Sequence, residues 1–359
     1  MTATETIPAT MRVAVMYDID DIRIEERPVP ALDPGDALVR TGASGVCSGD
    51  LMPWYVRRKA PFVFGHEPAG TIVATAGDTR FVPGTRVFAH HHAPCLHCDA
   101  CRAGRYVHCA TWRSTALEPG GMAEYFRVPA ANLVDTLALP EHLTLADGSL
   151  VEPLACVVKS LRRAFGAGDA ADLAGRTLFV IGAGVMGLMH VALASARGAT
   201  VYASDFEPAR RTEAIRLGAE AAFEPSTARE GLLAATGGRL ADAVICGPGS
   251  PAALAAAVDL TADDGTLLQF TPIAPGERFS FDQSRSYFRD LRLVASYSCG
   301  PNDTSAALGW IARGTVDARM LRAERFAFPE VAAAYAAMAS GALVKAIVTF
   351  GAEQEQRLS

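Results

Sequence analysis

A glycine-rich turn between a β run and a helical run constrains this chain more than any other segment. The run Thr177–Ile181 is followed by the hexapeptide GAGVMG at 182–187, and an apolar helical run continues from there. The span 178–196 is apolar and long enough to cross a bilayer by a window count. Its three glycines and His190 favour instead a buried strand, a tight turn and a packed helix.

Beyond this turn, short β runs alternate with Ala-rich segments of helical length. The later β runs lie at Thr200–Ser204, 243–246 and 266–270. Because parallel strands are joined by crossover helices, this alternation predicts an α/β fold with a doubly wound parallel sheet covered on both faces.

The chain before about residue 152 has a different texture. Pro and Gly punctuate short strand-like runs at 12–17, 37–41 and 70–73, which predicts a mostly-β module with long loops. After about residue 303 we expect a helix, a strand at 325–328, a helix at 329–339 and a strand at 346–350.

The three glycines of the hexapeptide match the turn that binds a dinucleotide. Gly182 would make the tight turn, Gly184 would let the backbone approach a pyrophosphate, and Gly187 would allow close packing of helix on strand. Met186 lies within the same motif, at the helix N-terminus whose free N–H groups would face the phosphates. The alternative is an identical turn in a sheet that binds nothing.

An acidic residue in the expected position indicates which dinucleotide is preferred. Asp205 follows the second β run, 18 residues after Gly187 (205 − 187). Its carboxylate would accept hydrogen bonds from both ribose hydroxyls and repel a 2′-phosphate, so NAD is favoured over NADP. Arg210 and Arg211 lie close by in sequence and weaken that preference.

Composition excludes several classes of function. Half of the 359 residues are apolar and the net charge is −6, so the chain must bury a core and shows no basic footprint for nucleic acid. The first residues lack a basic segment before their short apolar run, so we expect neither secretion nor membrane insertion and place the protein in the cytoplasm.

Four cysteines form a compact pattern in a polar segment. They are Cys95, Cys98, Cys101 and Cys109, with C-x2-C-x2-C-x7-C spacing. Four thiolates complete a tetrahedral zinc and leave no position for substrate, so this zinc would be structural. Disulfides and an iron–sulfur cluster are the alternatives, and a reducing cytoplasm disfavours the former. The histidines at 90–92, 97 and 108 are expected to be solvated, or to lie behind a ligand rather than bind metal themselves.

Four further residues have the chemistry of metal ligands but are scattered along the chain. Cys47 lies in GVCSGD, His66 and Glu67 in FGHEPAG, and Glu152 in VEPLAC. Taken singly, Cys47 fits a buried thiol, His66 a core histidine with Glu67 as its partner, and Glu152 a residue at a helix N-terminus.

Taken in order, these motifs resemble the zinc-dependent medium-chain dehydrogenases/reductases, and within them the sorbitol, threonine and cyclitol dehydrogenase-like branch. The resemblance covers essentially the whole chain. It implies a GroES-like, mostly-β catalytic domain at 1–155 with a zinc lobe at about 93–111, a Rossmann NAD-binding domain at 156–297, and a return to the catalytic domain at 298–359. It also implies an active site in the cleft between the two domains.

The resemblance further implies two zinc ions per chain, one structural and one catalytic. Cys47 and His66 become ligands of the catalytic zinc, and Glu67 and Glu152 become its acidic members, either directly or through water. Such a mixed set leaves one position open for a substrate oxygen.

The sequence departs from the family pattern at two positions. The second residue after the catalytic cysteine, commonly Ser or Thr in the family, is Gly49 here, with a hydroxyl one residue earlier at Ser48. The proton relay may therefore use Ser48, a water or the ribose, and its assignment stays open. Lys159 stands where relatives often have histidine, and reaching solvent or contacting substrate are equally compatible with its position.

The motifs and the resemblance together predict a zinc- and NAD-dependent oxidoreductase acting on CH–OH groups. The expected partner is a small-molecule secondary alcohol or ketone of a polyol, sugar or cyclitol, and the ring pair Trp54–Tyr55 offers a surface for it. An amino-alcohol dehydrogenase and a non-catalytic NAD- and zinc-binding protein are the alternatives. By analogy we expect a homodimer or homotetramer that pairs through an edge strand at 291–297.

Overall fold

The computed structural model describes residues 6–166, 168 and 172–351. The chain divides into two compact units. The first comprises Met1–Pro153, Cys299–Ala312 and Asp317–Ser359, and the second comprises Leu154–Ser298 and Arg313–Val316.

The N-terminal part of the first unit consists of short strands joined by loops and brief helices. The strands are β1 (Thr10–Asp18), β2 (Asp21–Pro28), β3 (Ala37–Gly45), β4 (Phe62–Val63), β5 (Pro68–Thr75), β6 (Arg86–Ala89), β7 (Tyr125–Val128) and β8 (Thr136–Ala138). The helices are α1 (Pro53–Arg57), α2 (Asp99–Arg102), α3 (Ala110–Ser114) and α4 (Leu145–Gly148). The helix α5 (Val151–Phe165) begins in the first unit and continues into the second from Leu154. The strand-like runs predicted at 12–17, 37–41 and 70–73 fall inside β1, β3 and β5, which confirms the mostly-β prediction.

The second unit alternates strands and helices. Its strands are β9 (Thr177–Ile181), β10 (Thr200–Ser204), β11 (Ala221–Phe223), β12 (Ala241–Cys246), β13 (Thr261–Gln269) and β14 (Arg292–Ala295). Its helices are α6 (Val185–Ala196), α7 (Pro208–Arg216), α8 (Ala228–Thr236), α9 (Pro251–Leu260) and α10 (Gln283–Tyr287). The order β11-β10-β9-β12-β13-β14, parallel throughout, is the 3-2-1-4-5-6 order of a Rossmann sheet.

Burial explains why the second unit's strands read as continuous apolar runs. All five residues of β9 are buried, because helices cover both faces of a parallel sheet. The apolar span at 178–196 is accordingly the strand β9, the glycine turn and the helix α6. Within the described ranges, no helix has the length and apolarity needed to cross a membrane.

The C-terminal part of the chain returns to the first unit through α11 (Pro301–Ala312), β15 (Glu324–Ala327), α12 (Val331–Ala339) and β16 (Ala346–Thr349). These elements complete a sheet ordered β15-β16-β3-β5-β6-β8, with β7 paired to β3. A smaller sheet has the order β2-β1-β4. The strand–helix–strand sequence predicted for this tail is confirmed, with the predicted helix beginning as a short 3-10 turn at Phe328–Glu330.

Candidate active site and metal centres

Strand pairing brings Cys47, His66 and Glu67 together. β3 and β5 pair antiparallel with Ser44 opposite Pro68, so the chain leaving β3 lies beside the chain entering β5. The potential ligand atoms of Cys47, His66 and Glu67 all lie within 4.8 Å of one another. Three residues that are scattered in the sequence thus form one cluster of a sulfur, a nitrogen and an oxygen donor.

The backbone around Cys47 places its sulfur at a helical N-terminus. Cys47 caps the 3-10 turn Ser48–Leu51, and its Sγ accepts a hydrogen bond from the Gly49 N–H at 3.3 Å. Burial raises the pKa of the Cys47 thiol, while the neighbouring His66 opposes that rise. A thiol that burial keeps protonated becomes a thiolate when a cation binds, because metal binding and proton release are coupled.

The His66 ring is held within a set of acidic neighbours. Its Nδ1 lies 3.5 Å from Oδ2 of the buried Asp50. Burial alone would lower the pKa of His66, but Cys47 and Asp50 together raise it well above its usual value. This contact is electrostatic rather than a hydrogen bond, because Asp50 Oδ2 has no hydrogen-bond partner in the described part of the chain. The cluster therefore favours a positive charge at its centre, which is the requirement of a cation site.

A buried lysine neutralises one member of this cluster. Lys345, just before β16, forms an ion pair with Glu67 Oε2 and donates to the Val46 carbonyl at 2.9 Å. Both side chains of the pair are about 1 % exposed. Sequence reasoning missed Lys345, because a lysine beside an apolar run is as compatible with a surface position as with a buried one.

Glu152 groups with a different set of neighbours. It is buried in the first turn of α5, which begins at Val151, two residues before the predicted start. Its carboxylate oxygen and one ring nitrogen each of His90 and His91 lie within 4.8 Å of one another. Glu152 also contributes to the electrostatic stabilisation of protonated His66, so it belongs to the same charged neighbourhood.

The three consecutive histidines after β6 differ in their contacts. His90 is fully buried, so of the two expectations for these histidines, solvation and a position behind a ligand, solvation does not apply to it. Its Nδ1 lies 2.7 Å from Asp135 Oδ2, and its Nε2 lies 3.5 Å from Cys299 Sγ. β6 ends at Ala89, and the His90 backbone N–H donates to the Asp135 carbonyl at 3.2 Å, which places the ring beside that residue's carboxylate.

His91 and His92 face the metal cluster and the cysteine lobe respectively. The His91 ring centroid lies 5.0 Å from that of His66. His92 Nδ1 lies 2.7 Å from the Thr115 carbonyl oxygen, and its ring packs 4.1 Å from that of Trp112. Burial and the adjacent histidines lower the pKa of His91 well below its usual value.

The two departures from the family pattern, at Gly49 with its neighbour Ser48 and at Lys159, differ in their exposure and contacts. Ser48 is exposed. A Cβ at Gly49 would lie 3.4 Å from Cys47 Sγ and meet nothing closer, so the missing hydroxyl is not forbidden by packing. Lys159 Nζ donates to the Tyr297 carbonyl at 2.6 Å, which gives it a protein partner rather than solvent alone.

The basic turn after α1 makes local contacts. Arg57 Nε lies 3.1 Å from Asp18 Oδ1. Lys59 Nζ donates to the Tyr55 hydroxyl at 2.6 Å and lies over the same ring. Trp54 meets Tyr55 edge to face, with ring centroids 5.8 Å apart.

The four lobe cysteines converge with the spacing that zinc requires. Cys95 and Cys101 Sγ atoms are 3.9 Å apart, Cys98 and Cys101 3.5 Å, and Cys95 and Cys109 3.7 Å. Tetrahedral zinc with Zn–S bonds of about 2.3 Å separates its sulfurs by about 3.8 Å. A disulfide needs about 2.05 Å, and all eight cysteines are free thiols.

Backbone hydrogen bonds prepare the lobe for thiolates. Burial alone would raise the pKa of Cys109, but hydrogen bonds from the N–H groups of Cys95 and Trp112 lower it to about 6. Besides the cysteines, the apolar contacts of the lobe come from Val107, Trp112 and Tyr106. So small a core fits a lobe whose folding depends on its metal.

The glycine turn of the second unit has the geometry its sequence predicts. Gly182 has φ +87°, a conformation that favours glycine. A Cβ at Gly187 would overlap the Gly182 carbonyl oxygen, so helix α6 packs directly on the end of β9. At Gly184 the nearest atom to an added Cβ is Arg210 Nη1 at 3.9 Å, which leaves the backbone open to a ligand.

Asp205 is fixed beside this turn. Its Oδ2 accepts from the Ala183 N–H at 2.8 Å, and its Oδ1 accepts from the Glu207 N–H at 2.9 Å. Because a carboxylate has about four acceptor positions, two remain for further donors. The acid is thus tied to the turn that would hold a dinucleotide.

Two family models match most of the chain. The model described as "Alcohol dehydrogenase GroES-like domain" matches residues 33–140, and the model described as "Zinc-binding dehydrogenase" matches residues 185–313.

Individual proteins agree with these models. The chain is 34% identical to D-altritol 5-dehydrogenase of Agrobacterium fabrum, over 83% of this chain and 87% of the relative. It is 31% identical to sorbitol dehydrogenase of Bacillus subtilis, over 74% of this chain and 76% of the relative. A zinc-binding dehydrogenase from Sinorhizobium meliloti, solved bound to NADP, superposes with a TM-score of 0.82 at 26% identity, covering 95% of this chain and 100% of the other.

Proposed function

The chain belongs to the zinc-dependent medium-chain alcohol dehydrogenases, oxidoreductases that act on CH–OH groups, and from this premise we propose that it interconverts a secondary alcohol and a ketone of a polyol, sugar or cyclitol with NAD(H). The convergence of Cys47, His66 and Glu67 in one buried cluster is the observation that carries the proposal.

The donor set fits a catalytic zinc better than a harder cation. A thiol, an imidazole and a carboxylate match zinc in softness, and oxygen-only sets would match calcium or magnesium. Cys47 and His66 would hold the ion, with Glu67 and Glu152 as its acidic neighbours. When bound there, zinc supplies a Lewis acid that lowers the pKa of an alcohol.

The protein's own residues tune this centre. Lys345 takes up one oxygen of Glu67, so that carboxylate contributes less negative charge to the cluster than its formal charge suggests. Asp50 places a carboxylate oxygen 3.5 Å from His66 Nδ1. Gly49 supplies an N–H to the Cys47 sulfur and no hydroxyl, so the proton of the substrate must leave through another group.

The glycine turn and Asp205 support a dinucleotide site in the second unit. NAD accepts the hydride when it is bound. Asp205, with two acceptor positions left, would take the ribose hydroxyls and favour NAD over NADP. The NADP in the Sinorhizobium protein makes a direct comparison of the two cofactors necessary.

The second zinc of the proposal is structural. The four lobe sulfurs stand at the spacing of a tetrahedral site and offer it no open position. A reducing cytoplasm would keep these thiols available for the metal.

Substrate class and assembly rest on different observations. The relatives named for altritol and sorbitol support a polyol substrate. Assembly into a homodimer or homotetramer is supported by β14, an edge strand of the parallel sheet, where Leu293 is 43% and the nearby Tyr297 66% exposed.

A turnover assay tests the proposed substrate class and the proposed cofactor together. The zinc-loaded enzyme is given a panel of polyols, cyclitols and L-threonine, with NAD and with NADP in parallel, and NAD(P)H formation is followed by absorbance. We expect a polyol or cyclitol to react with NAD, and Cys47→Ser to abolish that turnover.

Turnover of L-threonine alone would replace the substrate class by amino alcohols. Tight NAD and zinc binding without turnover of any alcohol or carbonyl would identify a non-catalytic binding protein and overturn the proposal.

A further inference from the structure

One ring nitrogen of His91, a neighbour of the cluster formed by Cys47, His66 and Glu67, is buried without a hydrogen-bond partner among the described residues. The His91 ring centroid is 5.0 Å from that of His66, and one of its nitrogens is within 4.8 Å of a Glu152 carboxylate oxygen. Its Nδ1 is shielded from solvent and has no hydrogen-bond partner within the described part of the chain. Buried polar atoms nearly always have a partner, so this nitrogen points to a ligand that supplies one.

The neighbouring histidines hold His91 in place. His90 is fixed by Asp135 on one side, and His92 is fixed by the Thr115 carbonyl on the other. Thr115 Oγ1 also accepts a hydrogen bond from the Ala93 N–H at 2.9 Å, which ties the backbone after the histidines to the cysteine lobe. The middle imidazole is therefore positioned before any ligand arrives, and preorganisation reduces the entropy lost on binding.

We propose that His91 is a specificity-determining residue whose Nδ1 binds a second hydroxyl of the substrate, on the carbon next to the one that reacts. This inference rests on the proposed function and narrows its substrate class to vicinal diols, as found in polyols and cyclitols. Nδ1 of an imidazole donates or accepts a hydrogen bond according to the tautomer, so it can pair with a hydroxyl in either orientation. A mono-alcohol leaves Nδ1 unpaired, and enzymes that hydrogen-bond a substrate hydroxyl discriminate against analogues that lack it.

Two variants separate hydrogen bonding from shape. His91→Phe keeps a planar ring and removes both nitrogens, whereas His91→Asn keeps an amide near the position of Nδ1. The substrates are 2,3-butanediol and 2-butanol, which share a carbon skeleton and differ by one hydroxyl. The measured quantity is the ratio of kcat/KM for the diol to kcat/KM for the mono-alcohol, with bound zinc and thermal midpoint recorded for each variant.

We expect His91→Phe to lower this ratio at least tenfold, His91→Asn to recover part of the loss, and both variants to keep wild-type zinc content. Calorimetric binding of the diol without NAD should weaken in His91→Phe to a similar extent.

An unchanged ratio would overturn the proposal, as would equal losses for both substrates. Loss of zinc in His91→Phe would make His91 a metal ligand instead and overturn it too. If the wild type turns over neither alcohol, the calorimetric comparison of wild type with His91→Phe decides the role of His91, and the panel of polyols and cyclitols separately decides the proposed function.

Discussion

Lys345 and Glu67 show how far a single buried residue can control a site. The pair is almost wholly shielded from water, so each charge depends on the other for its stability. Gly45 lies against the pair, and a Cβ there would overlap Glu67 Oε2 and come within 2.9 Å of Lys345 Nζ. The space around the pair is therefore already filled, and neither charge can be replaced by water.

Lys345→Met should lower the free energy of unfolding by about 3–5 kcal/mol, because it leaves the Glu67 carboxylate buried without its counter-charge. The measurement is urea unfolding in excess zinc. The double variant Lys345→Met/Glu67→Gln removes both charges and should recover a substantial part of the loss. A single variant within about 0.5 kcal/mol of wild type would contradict this account.

At the scale of residues, sequence reasoning finds those with distinctive chemistry in a recognisable motif. The cluster Cys47, His66 and Glu67 was available from GVCSGD and GHEPAG through the resemblance. Asp50 and Lys345 were not, because their roles arise from burial and long-range pairing that no local pattern reports. The sequence leaves two positions open for His90, solvated or behind a ligand, because three histidines in a polar-looking segment do not report their burial.

At the scale of elements, two glycines of the turn between β9 and α6 have different functions. Gly187 is needed by the protein, since a Cβ there would overlap the Gly182 carbonyl. Gly184 is open on the protein side, with its nearest neighbour at 3.9 Å. Gly187 is therefore required for packing of the helix on the strand, and Gly184 for access of a ligand to the backbone.

Gly187→Ala should lower both the thermal midpoint and the affinity for NAD, because α6 must move away from β9. Gly184→Ala should keep the thermal midpoint within a few degrees and weaken NAD binding at least tenfold, since the methyl group occupies the approach to the pyrophosphate. The two quantities are read by thermal unfolding without NAD and by calorimetric titration with NAD. Equal thermal losses in both variants would contradict the distinction.

The cysteine lobe and the Cys47 cluster should respond differently to loss of a sulfur. Cys98→Ser should release one zinc per chain and lower the thermal midpoint, because the lobe has little core without its metal. Cys47→Ser should also release one zinc but leave the midpoint nearly unchanged, since the surrounding sheet is held by strand pairing. Metal analysis and thermal unfolding check both, and matching losses of stability would disprove the division into structural and catalytic sites.

Elements with strong periodic or turn chemistry are the ones the sequence predicts well. The bounds of β9 and β10 agree residue for residue with the expected runs, because all of their residues except Thr200 are buried and both strands are rich in apolar residues. β2 is largely exposed and carries alternating charges, so its strand character comes from pairing with β1 rather than from its own composition. β11 has only three residues and gives no pattern to detect.

At the scale of the whole molecule, the proposed homo-oligomer can be tested at the edge strand of the second unit's sheet. β14 pairs with β13 on one side, and within the described ranges no strand pairs with its other side. Unpaired edges with exposed apolar side chains associate readily unless charge or coverage prevents it.

Leu293→Glu should shift the protein from a homo-oligomer toward the monomer, because it places a charge on this edge where Leu293 is half-exposed. Val82→Glu is the matched control, since Val82 is exposed in the first unit and lies away from the edge in sequence. Sedimentation velocity measures both. Unchanged assembly in Leu293→Glu, or a monomeric wild type, would show that β14 is not the interface.

The buried pair of Glu67 and Lys345 joins residues 278 positions apart along the chain. During synthesis the glutamate leaves the ribosome long before the lysine is made, so the early β module emerges with an uncompensated acid in its interior. Zinc that arrived at that stage would meet a more acidic set of ligands than the finished enzyme presents. The Glu67 carboxylate therefore gains its counter-charge only when β16, which directly follows Lys345, has paired with β3.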